Sequence, residues 1–264
     1  MIESKHDTEL SALGRELHDA LIHRRTISPL TTRGLNLSVD DAYRIQRHML
    51  SHRLVQGVRI VGKKIGATSE PVQRAVGIDQ PDFGLLLEDC AYSSGATIQF
   101  GRLIQPRAEG EIAFFLKERL QGPGITPEMV IEATAYVATC IEIVDSRIRD
   151  WQIRIVDTIA DNASCGVFIL GSERIAPEGI DFAACEMTMF INDAVVTHGR
   201  GSASLGHPAN AVAWLANTLG RLGMALDPGE PILSGSLGQL VDVRDGDFVR
   251  LIIEPIGECL ARFE

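Results

Sequence analysis

The chain has no CxxC pair, and its five cysteines (Cys90, Cys140, Cys165, Cys185 and Cys259) are odd in number and far apart. Neither a disulfide framework nor a zinc–thiolate site is suggested, and reduced, mostly buried thiols are expected. No block of Lys or Arg interrupts the net charge of −10, so a nucleic-acid backbone would be repelled. No apolar run is long enough to span a bilayer, and residues 1–10 lack the apolar core of a secretory signal. Internal repeats and low-complexity tracts are also missing. What is present is an ordinary globular composition, 45% hydrophobic and 23% charged over 264 residues. That length buries a substantial core, in one large domain with a small appendage or in two. A cytoplasmic protein kept soluble by its acidic excess is expected.

Two textures divide the chain. Leu10, Leu13, Leu17 and Leu21 recur at helical spacing behind Asp7 and Thr8, which are suited to cap a helix. Ser38 opens a second helix, with Asp41 three residues later in a variant of the capping box and Gly57 near its end. Residues 1–57 thus read as a small helical region. From residue 58 to 264, short apolar runs punctuated by Gly, Pro and Asp predict a β-rich domain, giving an α+β protein. Strands are expected over Val58–Ile65, Glu111–Lys117, Ile141–Ser146, Val167–Leu170, Met187–Ile191, Pro231–Ser234, Phe248–Ile253 and Glu258–Arg262. Asp245-Gly246 supplies a turn. Helices are expected from Thr126-Pro127 towards Thr139 and after Pro208.

An acidic constellation carries the chemistry. In a strand, Glu109 and Glu111 point to one face, and two such close carboxylates repel unless a cation lies between them. The plain alternative is a solvent-facing pair at a strand start. Glu142, set between two isoleucines in Cys140-Ile-Glu-Ile-Val-Asp-Ser-Arg147, is in a run too apolar for an exposed edge. A buried carboxylate is costly unless paired or coordinating a metal. Arg147 and Arg149 are near enough in sequence to offer a salt bridge instead. Three oxygen ligands without Cys or His favour Mg²⁺ or Mn²⁺ over zinc.

Longer motifs add to this. Gly62-Lys-Lys-Ile-Gly-Ala-Thr68, Gly77-Ile-Asp-Gln-Pro-Asp-Phe-Gly84, Gln105-Pro-Arg-Ala-Glu-Gly-Glu111, Asp157-Thr-Ile-Ala-Asp-Asn-Ala-Ser-Cys-Gly166, Gly206-His-Pro-Ala-Asn210 and Leu233-Ser-Gly-Ser-Leu237 occur in this order. Together, over about residues 10–264, they resemble the 2-oxopent-4-enoate (2-hydroxypenta-2,4-dienoate) hydratases of the fumarylacetoacetate-hydrolase superfamily, which serve meta-cleavage of aromatics. The resemblance implies a β-rich sandwich or roll behind a helical amino-terminal region. It also implies a homo-oligomer, and Mg²⁺ or Mn²⁺ held by Glu109, Glu111 and Glu142. The family's catalytic lysine lands on Lys64, not Lys63, and its acidic residue on Asp82, with Asp79 as a possible sharer of that task. Ser164 is expected at the substrate carboxylate. Arg107 is placed either to hold that carboxylate or to neutralise the glutamates, with the second preferred. Gly110 and Ser236 depart from the family's more common alanines.

The implied reaction is hydration of a small 2-hydroxydienoate to a 4-hydroxy-2-oxo acid, with Lys64 and Asp82 relaying protons and orienting water. A pocketed lysine near a metal is expected to have a lowered pKa. His207 reads as a helix cap or pocket wall, and Asp145, Arg147 and Asp150 as a polar network around Trp151. The competing readings are 4-oxalocrotonate decarboxylase, a hydratase of a larger dienoate, and a non-catalytic scaffold for a sister decarboxylase. Ser146-Arg-Ile-Arg-Asp-Trp151 and the run from Asp157 to Gly166 look more like the hydratases.

Overall fold

The computed structural model describes residues 5–69, 72–74, 77 and 80–264. Helix α1 (Lys5–Ile22) and helix α2 (Val39–Val55) lie against each other through Leu10, Leu13, Leu17, Ala42, Ile45 and Met49. Gly14 permits the approach, since a Cβ there would come within 2.8 Å of the Ile45 carbonyl oxygen. Ser38 and Asp41 form a reciprocal capping box at the start of α2. The first helix already runs at Lys5, so Asp7 and Thr8 lie inside it instead of capping it.

Thirteen strands follow among the described residues. One sheet combines β1 (Ile60–Gly66), β2 (Asp82–Leu87), β3 (Ala91–Ser93), β5 (Pro106–Leu116), β6 (Thr134–Asp145), β7 (Cys165–Leu170), β10 (Pro231–Leu233) and β11 (Val241–Asp242). Its order is β2-β1-β10-β5-β6-β7-β3, with β11 also on β5. The second sheet runs β4-β13-β12-β8-β9, from β4 (Ala96–Ile98), β8 (Glu186–Ile191), β9 (Ala194–Arg200), β12 (Phe248–Glu254) and β13 (Gly257–Phe263). The sheets face each other through one continuous apolar core. At Gly110 of β5 they meet so closely that a Cβ would lie 2.6 Å from Leu251 Cδ1. An α+β roll behind a helical region agrees with the sequence reading.

Helix α3 (Pro127–Ala133), capped by Thr126, stops well short of Thr139. Thr134, Tyr136, Val137 and Thr139 belong to β6, where β-branched and aromatic side chains suit a pleated surface paired along the whole of β5. Strands β2, β3, β4, β9 and β11 were not expected, and β9 is an exposed edge.

Helix α4 (Ile155–Ala160) joins the amino-terminal region to the rest. Ile148, Val156, Ile159 and Ala160 share an apolar cluster with α1 and α2. The Thr31 hydroxyl donates to Asp157 Oδ2 at 2.6 Å, and the Arg154 amide donates to the same oxygen at 3.0 Å. Helix α5 (Pro208–Arg221) buries its apolar face in the main core. Among the described residues no helix is long and apolar enough to cross a membrane.

Candidate active site

The antiparallel register of β5 and β6 puts Glu109 directly opposite Glu142, and strand alternation brings Glu111 to the same face. Oxygens of these three carboxylates lie within 4.8 Å of one another. Glu111 and Glu142 are fully buried. Glu111 Oε2 accepts from the Gly235 amide at 2.7 Å, whereas Glu111 Oε1 and Glu142 Oε2 have no hydrogen-bond partner. Buried, partnerless, hard oxygen donors converging on one point are what a divalent cation binds and what an unfilled core avoids. The donor set fits such an ion.

The cation beside Glu142 comes from neither Arg147 nor Arg149. Lys64 Nζ lies 3.1 Å from Glu142 Oε1 and donates to the Ala163 carbonyl at 2.9 Å. Its neighbour Lys63 points to the opposite face, paired with Glu230. Across the β1–β2 ladder, Gly66 stands opposite Asp82, whose buried carboxylate has no hydrogen-bond partner. Gly66 is required there because a Cβ would overlap Asp82 Oδ1. Gly66→Ala is therefore expected to swing Asp82 away. Turnover should fall about 100-fold, as for other small misplacements of reacting groups. Divalent-ion affinity, measured by calorimetry, should stay within a few-fold.

Lys64, Asp82, Glu109 and Ser164 all line one cleft of about 1170 Å³. Ser164 is itself buried, its hydroxyl 3.5 Å from Asp161 Oδ2. Arg107 also lines the cleft, where the carboxylate bonded to it is that of Asp242. Its Nε donates to Asp242 at 3.0 Å and its guanidinium stacks over Trp151, 4.8 Å from the ring centroid. Trp151 in turn donates to the Gln105 carbonyl, while Arg147 is bound to Asp161, so the expected network around Trp151 takes a different form. Asp79 lies outside the described residues. His207 caps α5, accepting from the Ala209 amide at 3.1 Å. His198, Ser202 and Gln239 also line the cleft, and nothing in their local sequence marked them, whereas Thr158, which lines it too, sits in the run from Asp157 to Gly166. Asn162 was passed over too, although it sits inside a motif that had been singled out.

Burial pushes the Glu109 carboxyl up to about 7, with repulsion from Glu142 adding and Lys64 opposing. The same burial and repulsion hold Glu111 well above the usual carboxylate range. Burial alone would lower the Lys64 pKa, but Glu142, Glu109 and Asp82 outweigh it. Lys64 is thus held charged in the metal-free site, contrary to the lowered value expected. Asp82, Asp145 and Asp161 are also raised by burial, Asp161 to about 6. Raised carboxyls bind more protons folded than unfolded, so they stabilise the fold at lower pH and that contribution is lost as pH rises through about 7. His18, lowered by burial, works in the opposite sense. The melting temperature of the metal-free protein should accordingly fall from about pH 5 to 7.5, and a saturating divalent ion should abolish the fall. A profile flat in both conditions would overturn this.

Comparison with known proteins follows this geometry. A family model described as fumarylacetoacetate (FAA) hydrolase C-terminal matches residues 57–264. A 2-hydroxyhexa-2,4-dienoate hydratase of Comamonas testosteroni is 52% identical over 252 residues, covering 95% of this chain and 96% of its own. A 2-hydroxypent-2,4-dienoate hydratase of Pseudomonas putida is 52% identical over 219 residues, covering 83% and 99%. Among solved structures, 4-oxalocrotonate decarboxylase from Pseudomonas putida G7, complexed with magnesium and adipate, superposes with a TM-score of 0.94 at 32% identity, covering 97% of this chain and 98% of that one. On sequence and architecture alike, the chain belongs to the fumarylacetoacetate hydrolase family.

Proposed function

We propose that this chain is a divalent-metal-dependent hydratase that converts 2-hydroxypenta-2,4-dienoate (2-oxopent-4-enoate) to 4-hydroxy-2-oxopentanoate in aromatic catabolism. The observation that carries the reading is a cleft lined by buried Lys64, buried Asp82 and Glu109, with the carboxylates of Glu111 and Glu142 converging on that of Glu109. The identity to hydratases over nearly the whole chain supports it. Glu109, Glu111 and Glu142 would hold Mg²⁺ or Mn²⁺. When bound, such an ion supplies oxygen coordination and draws off negative charge.

The chain's own groups handle the protons. The net reaction adds hydrogen to C5 and C3 and hydroxyl to C4, while the 2-hydroxyl becomes a ketone. Lys64, charged and aimed by Glu142 and the Ala163 carbonyl, is the donor on one side of the cleft. Asp82, its carboxyl raised by burial, lines the same cleft as Lys64 and is the second group placed to handle a proton. Ser164 would receive the substrate carboxylate. Asp79 and Arg107 are assigned to substrate binding with it, Arg107 from the cleft rim. Residues 1–57 act in this reading as a helical region that braces α4, and residues 58–264 as the catalytic domain. A cytoplasmic homo-oligomer belongs to the same proposal.

A second reading, 4-oxalocrotonate decarboxylase, draws on the close superposition with that enzyme. A six-carbon dienoate as hydratase substrate draws on the Comamonas relative. A scaffold for a sister decarboxylase has no need of Lys64, Asp82 and the three glutamates together. Incubating the protein and Mg²⁺ separately with the pentadienoate, the hexadienoate and 4-oxalocrotonate decides among these. Hydration of the pentadienoate without carbon dioxide supports the proposal; hydration of the hexadienoate alone, carbon dioxide release from 4-oxalocrotonate, or no turnover of any, overturns it.

A further inference from the structure

The segment between α4 and β7 carries three successive non-glycine residues in the left-handed region: Asn162 (φ 55°), Ala163 (φ 50°) and Ser164 (φ 53°). Such a run persists only where its surroundings over-determine it. Two sets of bonds do so. On one side is Arg147, only 1% exposed. Its Nε donates to Asp161 Oδ1 at 2.5 Å, and its guanidinium also donates to the carbonyls of Asp161, Asp145 and Cys165. On the other side is Asn162. Its Oδ1 accepts from the Leu85 amide at 2.8 Å and its Nδ2 donates to the Leu85 carbonyl at 2.9 Å.

Among the described residues strand β2 ends its sheet, and no strand pairs with the edge at Leu85. The Asn162 amide makes the two bonds a strand would make there. Gly84 leaves the space for this approach, since a Cβ would lie 2.7 Å from the Asn162 carbonyl oxygen and 3.2 Å from Lys64 Cγ. Between the two anchors sits the Ala163 carbonyl, the hydrogen-bond acceptor of Lys64 Nζ.

We infer that Asn162 is a positioning residue: by pairing with β2 as a one-residue strand, it fixes the Ala163 carbonyl and so the direction in which Lys64 presents its ammonium group. Without that acceptor, the ammonium loses its one fixed backbone bond and is aimed only by the surrounding carboxylates, Glu142 at 3.1 Å among them. The same side chain ties the Lys64 acceptor to the strand that carries Asp82, so it also sets the spacing of the two proton-handling groups. What Lys64 does with its proton rests on the hydratase reading; where Lys64 points does not.

Asn162→Gly removes both side-chain bonds and adds no backbone strain, because glycine adopts a positive φ freely. The expected result is a kcat lower by roughly 10- to 100-fold, with KM and the Mg²⁺ dissociation constant within about threefold. A crystal structure of the variant should have Lys64 Nζ displaced from the Ala163 carbonyl. A folded variant with wild-type kcat, or one that retains the Lys64–Ala163 bond, overturns the inference. Should Asn162→Gly fail to fold, Asn162→Asp carries the same test, since a carboxylate accepts from the Leu85 amide but cannot donate to its carbonyl. If the wild-type protein hydrates no dienoate, the hydratase reading fails on its own, and the crystal structure alone decides the positioning role.

Discussion

Glu111→Gln should leave a folded protein that has lost most of its affinity for divalent ions and about 1000-fold of its turnover. Glutamine matches glutamate in shape, and its carbonyl can still accept from the Gly235 amide as Glu111 Oε2 does. The amide nitrogen replaces Glu111 Oε1, a buried oxygen with no partner. What disappears is one of three negative charges converging on a point. Even groups one step removed from a metal ligand change affinity by roughly 10- to 100-fold when lost, so a direct carboxylate should cost at least about 100-fold. The metal-free fold responds in the opposite direction. Replacing a buried carboxyl whose ionisation is opposed by burial, Glu142 and Glu109 should raise the metal-free melting temperature, most at high pH, by about 2–4 °C per kcal/mol gained. Calorimetric titration with Mg²⁺ and Mn²⁺, beside thermal melts with and without ion, checks both halves. Wild-type affinity in the variant would remove Glu111 from the site.

That pairing of poorer function with greater stability also bears on what the sequence made legible. Alternation along β5 put Glu109 and Glu111 on one face, and the apolar frame of Glu142 forecast its burial. Both inferences need only neighbours in sequence. The partner of Glu142 could not be read the same way. Arg147 was closer along the chain, but it is consumed by Asp161, and the ammonium that reaches Glu142 arrives from β1 through the curl of the sheet. Arg107 misled for a similar reason, since Asp242 and Trp151 reach it across long stretches of chain. The helix drawn towards Thr139 failed where pairing with β5 overrode a local cap-and-proline signal. Strand β2 was missed because its edge bonds are completed by the side chains of Asn162 and Gln46, which donates to the Phe83 carbonyl, and that leaves no strand-length pattern on that side. The glycines carried more than their motifs revealed: Gly66 makes room for Asp82, and Gly84 for the segment that holds Lys64.

Lys64→Ala separates proton handling from metal holding more sharply than any glutamate variant. Turnover should fall by about 100- to 10,000-fold, the range expected when a positioned acid–base group is lost. Affinity for the divalent ion should be unchanged or tighter, because the substitution removes a positive charge 3.1 Å from a ligand oxygen and leaves all three carboxylates in place. Stability then depends on the ion. In the metal-free protein, Glu142 keeps its burial but loses its cation, and such orphaned charges typically cost about 3–5 kcal/mol. A divalent ion at about 100 times its dissociation constant returns roughly 2.7 kcal/mol by binding only the folded state. Melting temperature should therefore drop markedly without metal and recover much of the loss with it, while activity stays low in both. A variant that regains turnover along with its stability would make Lys64 a structural counter-charge and pass the proton handling to other groups of the cleft, Asp82 first.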